Sequence, residues 1–218
     1  MPMNKSLELQ NIALSTLPES AYEYSQIWRN KLTIVKGDRI LISAPSGKGK
    51  SSLISLLYGL KREFTGIYRI NGMDTRHFSQ EDWAQTRASV ISIVFQDLRL
   101  FMDYSGWENL AIKGKLPPAE FDENTIRIMA DHLGVENLLD KKCGAMSYGE
   151  RQRMAIIRSL LMPADFLIMD EPFSHLDDEN TARALELINN ETTKNNSAVI
   201  ITSLGSSYDW TFDRNVLL

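Results

Sequence analysis

The chain has 218 residues, of which 43% are apolar, and its formal net charge is −4 at pH 7. That apolar fraction is ample for a buried core in one large or two small domains. Because basic and acidic residues are intermixed without a basic stripe, we expect no nucleic-acid partner. The longest apolar runs have the length of a strand, so we also expect no membrane-spanning helix.

The amino-terminal part of the chain predicts β-structure. Strands are expected at residues 7–14, 32–35, 39–43 and 66–70. We expect the second and third of these strands to pair with each other across the turn at Gly37. Asn71 and Gly72 follow the fourth strand and predict a tight turn.

A glycine-rich loop follows the strand at 39–43. It has the form G-x-x-x-x-G-K-[ST] with alanine at the opening position, and on its own it also fits a surface turn. Its glycine amides can converge on phosphate oxygens, while Lys50 places a charge between the β- and γ-phosphates and Ser51 offers a hydroxyl to Mg²⁺. A helix predicted at 51–60 turns its positive end toward the anion. The predicted nucleoside triphosphate site consists of Ala44, Pro45, Ser46, Gly47, Lys48, Gly49, Lys50, Ser51 and Ser52.

The middle of the chain changes from strand to helix. An apolar run at 90–95 predicts a strand, and Gln96 stands directly after it. From about residue 105 to 143 the pattern is mostly helical, with one helix at 123–133 that Gly134 ends. Between these segments lies an apolar and aromatic cluster of Leu98, Leu100, Phe101, Met102, Tyr104 and Trp107.

An amphipathic helix begins after Met146 and ends before Pro163. Ser147 and Glu150 have the S-x-x-E spacing of a capping box, in which each residue satisfies an amide of the other. Capping is by itself a sufficient explanation for these two residues.

Two adjacent carboxylates follow the apolar run at 166–169. A short apolar run is typical of a buried parallel strand, so Asp170 is expected at its carboxyl end, where open α/β sheets bind ligands. There Asp170 can hold Mg²⁺ through water, and Glu171 is placed to orient or deprotonate an attacking water. The alternative is a pair of solvated turn carboxylates, which the preceding phosphate-type loop makes the weaker interpretation. A helix at 178–193, a strand from 198 and an edge strand at 213–218 complete the chain.

The octapeptide Met146-Ser147-Tyr148-Gly149-Glu150-Arg151-Gln152-Arg153 resembles the L-S-G-G-Q-x-Q-R signature of the ATP-binding cassette (ABC) ATPases. Met146, Tyr148 and Glu150 depart from the commonest form. The resemblance covers nearly the whole chain, and residues 95–103 are most similar to the lipoprotein-release, macrolide-export and cell-division branch. It implies an α/β P-loop NTPase fold with a mixed sheet core, an antiparallel β subdomain and a helical subdomain. The implied single domain is 1–218, with the core and β subdomain at about 1–97 and 163–218 and the helical subdomain at about 98–162.

The resemblance also implies site residues that the local patterns do not. Gln96 is expected to contact Mg²⁺ and the attacking water, and Ser174 and Asp177 are expected at an interface with a second subunit. Ser203 stands where the family usually has a histidine that contacts the γ-phosphate, and a serine there predicts slow turnover. The residues implied to meet the ATP of the other subunit are Ser147, Gly149 and Glu150.

An aromatic residue that stacks on adenine is implied about twenty residues before the phosphate loop. Tyr22 is our choice there, with Tyr24 and Trp28 close to it. The alternative is that these aromatic side chains cover the edge of the antiparallel strands.

The function implied is an ATP-driven motor subunit that uses ATP and Mg²⁺. Two copies, or two related subunits, are expected to close head to tail around ATP and to drive an integral membrane permease-type subunit through the surface at 96–107. The aromatic cluster there fits either that docking or core packing between lobes. Because the amino terminus has no apolar signal region, we expect a cytoplasmic protein, peripheral on the inner face of the membrane. The alternative function is a nucleotide-gated regulatory module with weak or no hydrolysis.

Overall fold

The computed structural model describes residues 5–45, 47–114, 122–205 and 208–218. One sheet is antiparallel, with the order β2-β1-β4-β5. Its strands are β1 (Ser6–Ala13), β2 (Lys31–Val35), β4 (Thr65–Ile70) and β5 (Met73–Asp74). The turn from β4 to β5 is the predicted one, because Asn71 and Gly72 both have positive φ, at 52° and 79°.

The second sheet is parallel throughout, with the order β6-β7-β8-β3-β9. Its strands are β3 (Arg39–Ser43), β6 (Ile91–Val94), β7 (Phe166–Asp170), β8 (Ala198–Ser203) and β9 (Arg214–Leu217). The predicted strand at the carboxyl end of the chain is therefore present, and it lies at the edge of this sheet.

The helices pack around these sheets. The α-helices are α1 (Lys50–Leu57), α2 (Gln80–Ser89), α3 (Gly106–Gly114), α4 (Glu123–His132), α5 (Tyr148–Leu160) and α6 (Asp178–Asn195). The capping box predicted for the signature segment is formed at the start of α5. In the part of the chain that the structure describes, no helix combines the length and the apolar character needed to cross a membrane.

The predicted pairing of the strands at 32–35 and 39–43 is wrong. β2 pairs with β1 in the antiparallel sheet, whereas β3 lies between β8 and β9 in the parallel sheet. Burial explains the separation, because β2 alternates between buried and more exposed residues while Ile40, Leu41 and Ile42 of β3 are all buried. A strand covered on both faces belongs inside a parallel sheet, and this outweighs the short turn at Gly37.

The two faces of the parallel sheet contribute to different parts of the core. Leu41 packs with the helical side of the molecule, in a cluster with residues from α4, α5 and α6. Its neighbours Ile40 and Ile42 point to the other face and pack with the antiparallel sheet and α1. The parallel sheet therefore forms the middle layer, and its carboxyl edge lies between the two outer layers.

Candidate active site

The register of the parallel strands brings separate sequence segments to one edge. Asp170 at the end of β7 is paired with Thr202 of β8, and Ser43 at the end of β3 is paired with Ser203. β6 ends at Val94, opposite Met169, so Gln96 follows at the same edge. The phosphate-type loop, the carboxylate pair, Gln96 and Ser203 therefore converge as the sequence predicts.

The loop after β3 has the backbone of an anion-binding turn. Gly47 and Gly49 have φ values of 82° and 91°, and α1 begins at Lys50 immediately after Gly49. Ala44 is buried, is not among the residues with positive φ, and donates its N–H to the Ser203 carbonyl at 3.1 Å. Alanine at the opening position is therefore compatible with the loop. Ser46, predicted to belong to the site, lies outside the described residues.

The phosphate-type loop packs on side chains at Lys48 and Gly49 and is open at Gly47. The buried indole of Trp28 donates its Nε1–H to the Lys48 carbonyl at 3.0 Å. A Cβ built on Gly49 would lie 2.9 Å from the Leu17 side chain, whereas one on Gly47 would meet no atom of the described residues within 4 Å, apart from its chain neighbours. The loop therefore rests on packed side chains and has free space at Gly47. Trp28, which is close to Tyr22 in the sequence, is buried and has this supporting role.

Lys50 and Glu171 form a buried ion pair at the centre of the site. Each side chain is only 9% exposed. Burial lowers the pKa of the Lys50 ammonium, and the nearby Asp170 carboxylate raises it in part. Glu171 adopts a left-handed conformation with φ of 48°, so it leaves the direction of β7 and projects differently from Asp170.

Asp170 is held by a residue that the sequence reasoning did not assign. The fully buried Thr202 donates its hydroxyl to Asp170 Oδ1 at 2.6 Å, and Thr202 Oγ1 in turn accepts the Glu171 N–H at 3.3 Å. Burial raises the pKa of the Asp170 carboxyl above its ordinary value, while the hydroxyl of Thr202 and the charge of Lys50 lower it and Asp97 raises it further. A polar residue at the end of the apolar strand 198–201 was the available sequence signal for Thr202.

The donor set fits magnesium held together with phosphate. Among the described residues, no three His, Cys, Asp or Glu side chains cluster as a metal cage. Mg²⁺ is usually bound by one or two carboxylates with substrate phosphates and water, and Asp170 with the exposed Ser51 at the start of α1 matches that pattern.

The comparisons with known proteins agree with this geometry. The family described as ABC transporter matches residues 29–174 of the chain. The chain belongs to this family. The lipoprotein-releasing system ATP-binding protein LolD of Legionella pneumophila (strain Paris) is 30% identical over 190 residues, which are 86% of this chain and 83% of LolD. The ABC transporter ATP-binding protein YtrE of Bacillus subtilis (strain 168) is 34% identical over 161 residues, 72% of this chain and 69% of YtrE.

A solved structure described as a dimeric bacterial ABC transporter cassette has the same fold. Its TM-score is 0.77 at 20% identity, and the match covers 91% of this chain and 88% of that one. The predicted fold class and the predicted branch of the family are therefore confirmed. The chain is an ATP-binding subunit of the ABC type, with the ATPase activity of that family.

The signature segment of this ABC cassette lies at the surface and is fixed by its cap. Ser147 Oγ accepts the Glu150 N–H at 3.2 Å, and Glu150 Oε2 accepts the Ser147 N–H at 2.7 Å, which lowers the pKa of Glu150. A Cβ on Gly149 would lie 2.8 Å from the His175 carbonyl, so glycine lets the backbone of residues 174–177, which we call the D-loop, pack directly on α5.

Gln152 is a second residue that the sequence reasoning did not single out. It is buried, and its Nε2 donates to the Glu171 carbonyl at 3.1 Å while its Oε1 accepts the His175 N–H at 3.2 Å. Of the predicted interface residues, Ser174 is exposed with its Oγ 2.9 Å from His175 Nδ1. Asp177 caps α6 by accepting the Asn180 N–H at 2.8 Å.

Ser203 and Gln96 lie where the sequence places them, in different surroundings. Ser203 is buried at the end of β8, and its Oγ accepts the Gly205 N–H at 3.2 Å. Gln96 is exposed, and its carbonyl accepts the Tyr148 hydroxyl at 2.5 Å.

Tyr22 has contacts that match the alternative interpretation. Its hydroxyl donates to the Leu14 carbonyl at 2.7 Å, and the Arg29 guanidinium lies 3.9 Å from its ring centroid. Tyr24 is 87% exposed. Stacking of Tyr22 on adenine stays a prediction.

The aromatic cluster after Gln96 divides between surface and interior. Phe101, Met102 and Tyr104 are exposed, at 55%, 42% and 47%. Leu98 is buried, and Leu100 and Trp107 pack against the helical side of the core. Exposure thus favours docking for the first group and core packing for the second.

Proposed function

We propose that this cassette binds Mg-ATP at the edge where β3, β7 and β8 end, and that Glu171 orients and deprotonates the attacking water. The observation that carries the proposal is the buried pair of Lys50 and Glu171 beside Asp170. An ammonium, two carboxylates and a helix that begins after two left-handed glycines are the parts that phosphate-loop ATPases use for phosphoryl transfer.

The ion pair gives Lys50 and Glu171 linked roles. Both side chains are buried, so Glu171 neutralises an ammonium that burial would otherwise disfavour. A γ-phosphate oxygen is also anionic and competes with Glu171 for Lys50. Once Lys50 contacts phosphate, the Glu171 carboxylate is released to accept a proton from water. Substrate binding therefore makes the base available.

Asp170 and Ser51 are the residues that would hold magnesium, with Gln96 at the same edge. Bound there, the ion supplies positive charge to the β- and γ-phosphate oxygens. Thr202 fixes one oxygen of Asp170 by a hydrogen bond of 2.6 Å, so the carboxylate is oriented before substrate arrives.

The cassette acts as one half of a head-to-tail dimer in this proposal. Ser147, Gly149 and Glu150 lie at the capped start of α5, which presents a helix amino terminus to an anion from the partner. Ser174 is exposed beside them and supports the same interface. The partner in this dimer is either a second copy of the chain or a related ATPase subunit.

The surface beyond Gln96 is proposed to dock an integral membrane permease-type subunit, which places the cassette on the inner face of the membrane. A small cavity of about 200 Å³ there is lined by Arg99, Lys113 and Arg158 together with Phe95, Phe101 and Ile112. Within the described residues, neither Lys113 nor Arg158 has a carboxylate partner, and burial lowers the pKa of Lys113 with Arg158 adding to the effect. A docking segment that carries an acidic side chain among apolar ones complements this cavity.

A regulatory module with little hydrolysis is the second candidate, and Ser203 is the observation that favours it. A serine hydroxyl stabilises developing phosphate charge less than an imidazolium at the same place. The complete set of Lys50, Asp170 and Glu171 favours hydrolysis instead. ATPase measurements on the purified chain, alone and with its membrane partner, separate the two functions.

The test of the proposed mechanism is Glu171→Gln. We expect turnover to fall on the order of a hundred-fold or more, because the general base is lost, while ATP binding persists. Light scattering should then detect an ATP-dependent dimer of the variant. Exposed Glu81→Gln on α2 is the matched control and should turn over as the unmodified chain does. An unchanged rate in Glu171→Gln would remove this residue from the mechanism.

A further inference from the structure

Tyr148 connects the signature segment with the residues at Gln96 and at His175 of the same chain. It is the first residue of α5 and stands where the family signature usually has glycine. Its hydroxyl donates to the Gln96 carbonyl at 2.5 Å, and its ring centroid lies 4.2 Å from that of His175 in the D-loop. The guanidinium of Arg151 lies 5.4 Å from the ring centroid. Glycine has no side chain, so these contacts are specific to the tyrosine.

The segment that Tyr148 contacts has an uncommon backbone. Leu98 and Arg99, shortly after Gln96, both have positive φ, at 59° and 47°, which residues with a Cβ rarely adopt. Arg158, near the end of α5, donates to the carbonyls of these two residues at 2.5 and 2.7 Å. α5 therefore holds the segment from Gln96 to Arg99 at both ends, through Tyr148 at the start of the helix and Arg158 near its end.

The same helix is tied to the catalytic carboxylate segment. Gln152, one turn after Tyr148, bonds the Glu171 carbonyl and the His175 amide. A displacement of the start of α5 thus acts on the D-loop through Gln152 and on Gln96 through the hydroxyl of Tyr148. Removal of the Tyr148 phenolic oxygen would therefore break the bond to Gln96 and leave both bonds of Gln152 in place.

We propose that Tyr148 is a positioning residue that fixes the backbone at Gln96 against the start of α5, so that the signature segment and Gln96 move together. This inference rests on the proposed function, in which Gln96 lies beside the chain's own ATP and the start of α5 meets the partner's ATP. Among the described residues, the contacts of the Tyr148 side chain are with Gln96, His175 and Arg151 and not with the phosphate loop. Its effect should therefore fall on turnover and not on the contact of Lys50 with nucleotide.

The test is Tyr148→Phe, which keeps the ring and removes the oxygen. Loss of one hydrogen bond is expected to lower kcat about five-fold, with the KM for ATP changed by less than about two-fold. Hydrogen exchange of the backbone amides at residues 96–99 should be faster by a similar factor, since the segment opens more often. Tyr208→Phe removes a hydroxyl that makes no hydrogen bond within the described residues and is the matched control.

A merely structural role predicts a different result. It would lower the denaturation midpoint of the whole chain and leave kcat of the folded fraction unchanged, which would overturn the proposal. Tyr148→Gly, which restores the usual family residue, should speed exchange at 96–99 at least as much as Tyr148→Phe. Unchanged exchange in both variants would also overturn it. Because exchange is measured without turnover, an inactive unmodified chain would contradict the proposed function and leave this test intact.

Discussion

Replacement of Thr202 by valine tests whether the buried hydroxyl holds the catalytic carboxylate. Valine has nearly the same shape, so the change removes the 2.6 Å bond to Asp170 and the 3.3 Å bond from the Glu171 amide without opening a large cavity. A buried hydrogen bond to a charged group contributes about 1.5–3 kcal/mol to stability. We expect the free energy of unfolding to fall by about 2 kcal/mol and the melting temperature by about 4–8 °C.

The effect should depend on pH in a defined direction. The hydroxyl favours the ionised carboxylate, so the variant raises further a pKa that burial already holds above its ordinary value. When the pKa of a carboxyl is higher in the folded chain than in the unfolded chain, its protonated form stabilises the fold at pH values below the unfolded-state pKa. This stabilisation is lost as the pH rises through the folded-state pKa. The variant should therefore lose most stability relative to the unmodified chain above the folded pKa of Asp170, and progressively less below it.

Thr192→Val supplies the matched control. Thr192 is also buried, but its hydroxyl donates to the neutral Ile188 carbonyl at 2.6 Å inside α6. This control should lose about 1 kcal/mol, with no pH dependence that follows Asp170. Chemical denaturation of both variants between acidic and neutral pH measures the difference. Equal losses in the two variants, or a Thr202→Val loss that is flat with pH, would refute the assigned role of the hydroxyl.

Two further changes test the loop support and the docking surface. Trp28→Phe removes the bond to the Lys48 carbonyl and should raise the KM for ATP about five-fold. The control Trp83→Phe removes a buried Nε1–H that has no partner within the described residues and should leave the KM nearly unchanged. Equal KM values in ATP titrations of the two variants would contradict the role of Trp28 in supporting the loop. Lys113→Glu reverses a charge in the cationic cavity and should weaken assembly with the membrane subunit about ten-fold or more. The control Lys31→Glu changes an exposed residue of β2 and should assemble normally in co-purification.

Much of the site was predictable because its parts are local. The glycine-rich loop, the capping box of Ser147 and Glu150 and the turn at Asn71 and Gly72 depend on backbone preferences within a few residues. The position of Asp170 at the end of a buried strand follows equally from an apolar run that stops at a carboxylate. These features are present as predicted.

The sequence alone therefore determined the chemistry of the loop and carboxylate segments and most of the strands and helices, although it did not predict α2 and β5. Only the tertiary structure decided that β2 and β3 enter different sheets, and that Thr202, Gln152 and Trp28 support the site. The physical reason is distance along the chain. These side chains meet their partners because of strand order and burial on both faces of the parallel sheet, and no local pattern of hydrophobicity or turn residues records which distant segments become neighbours.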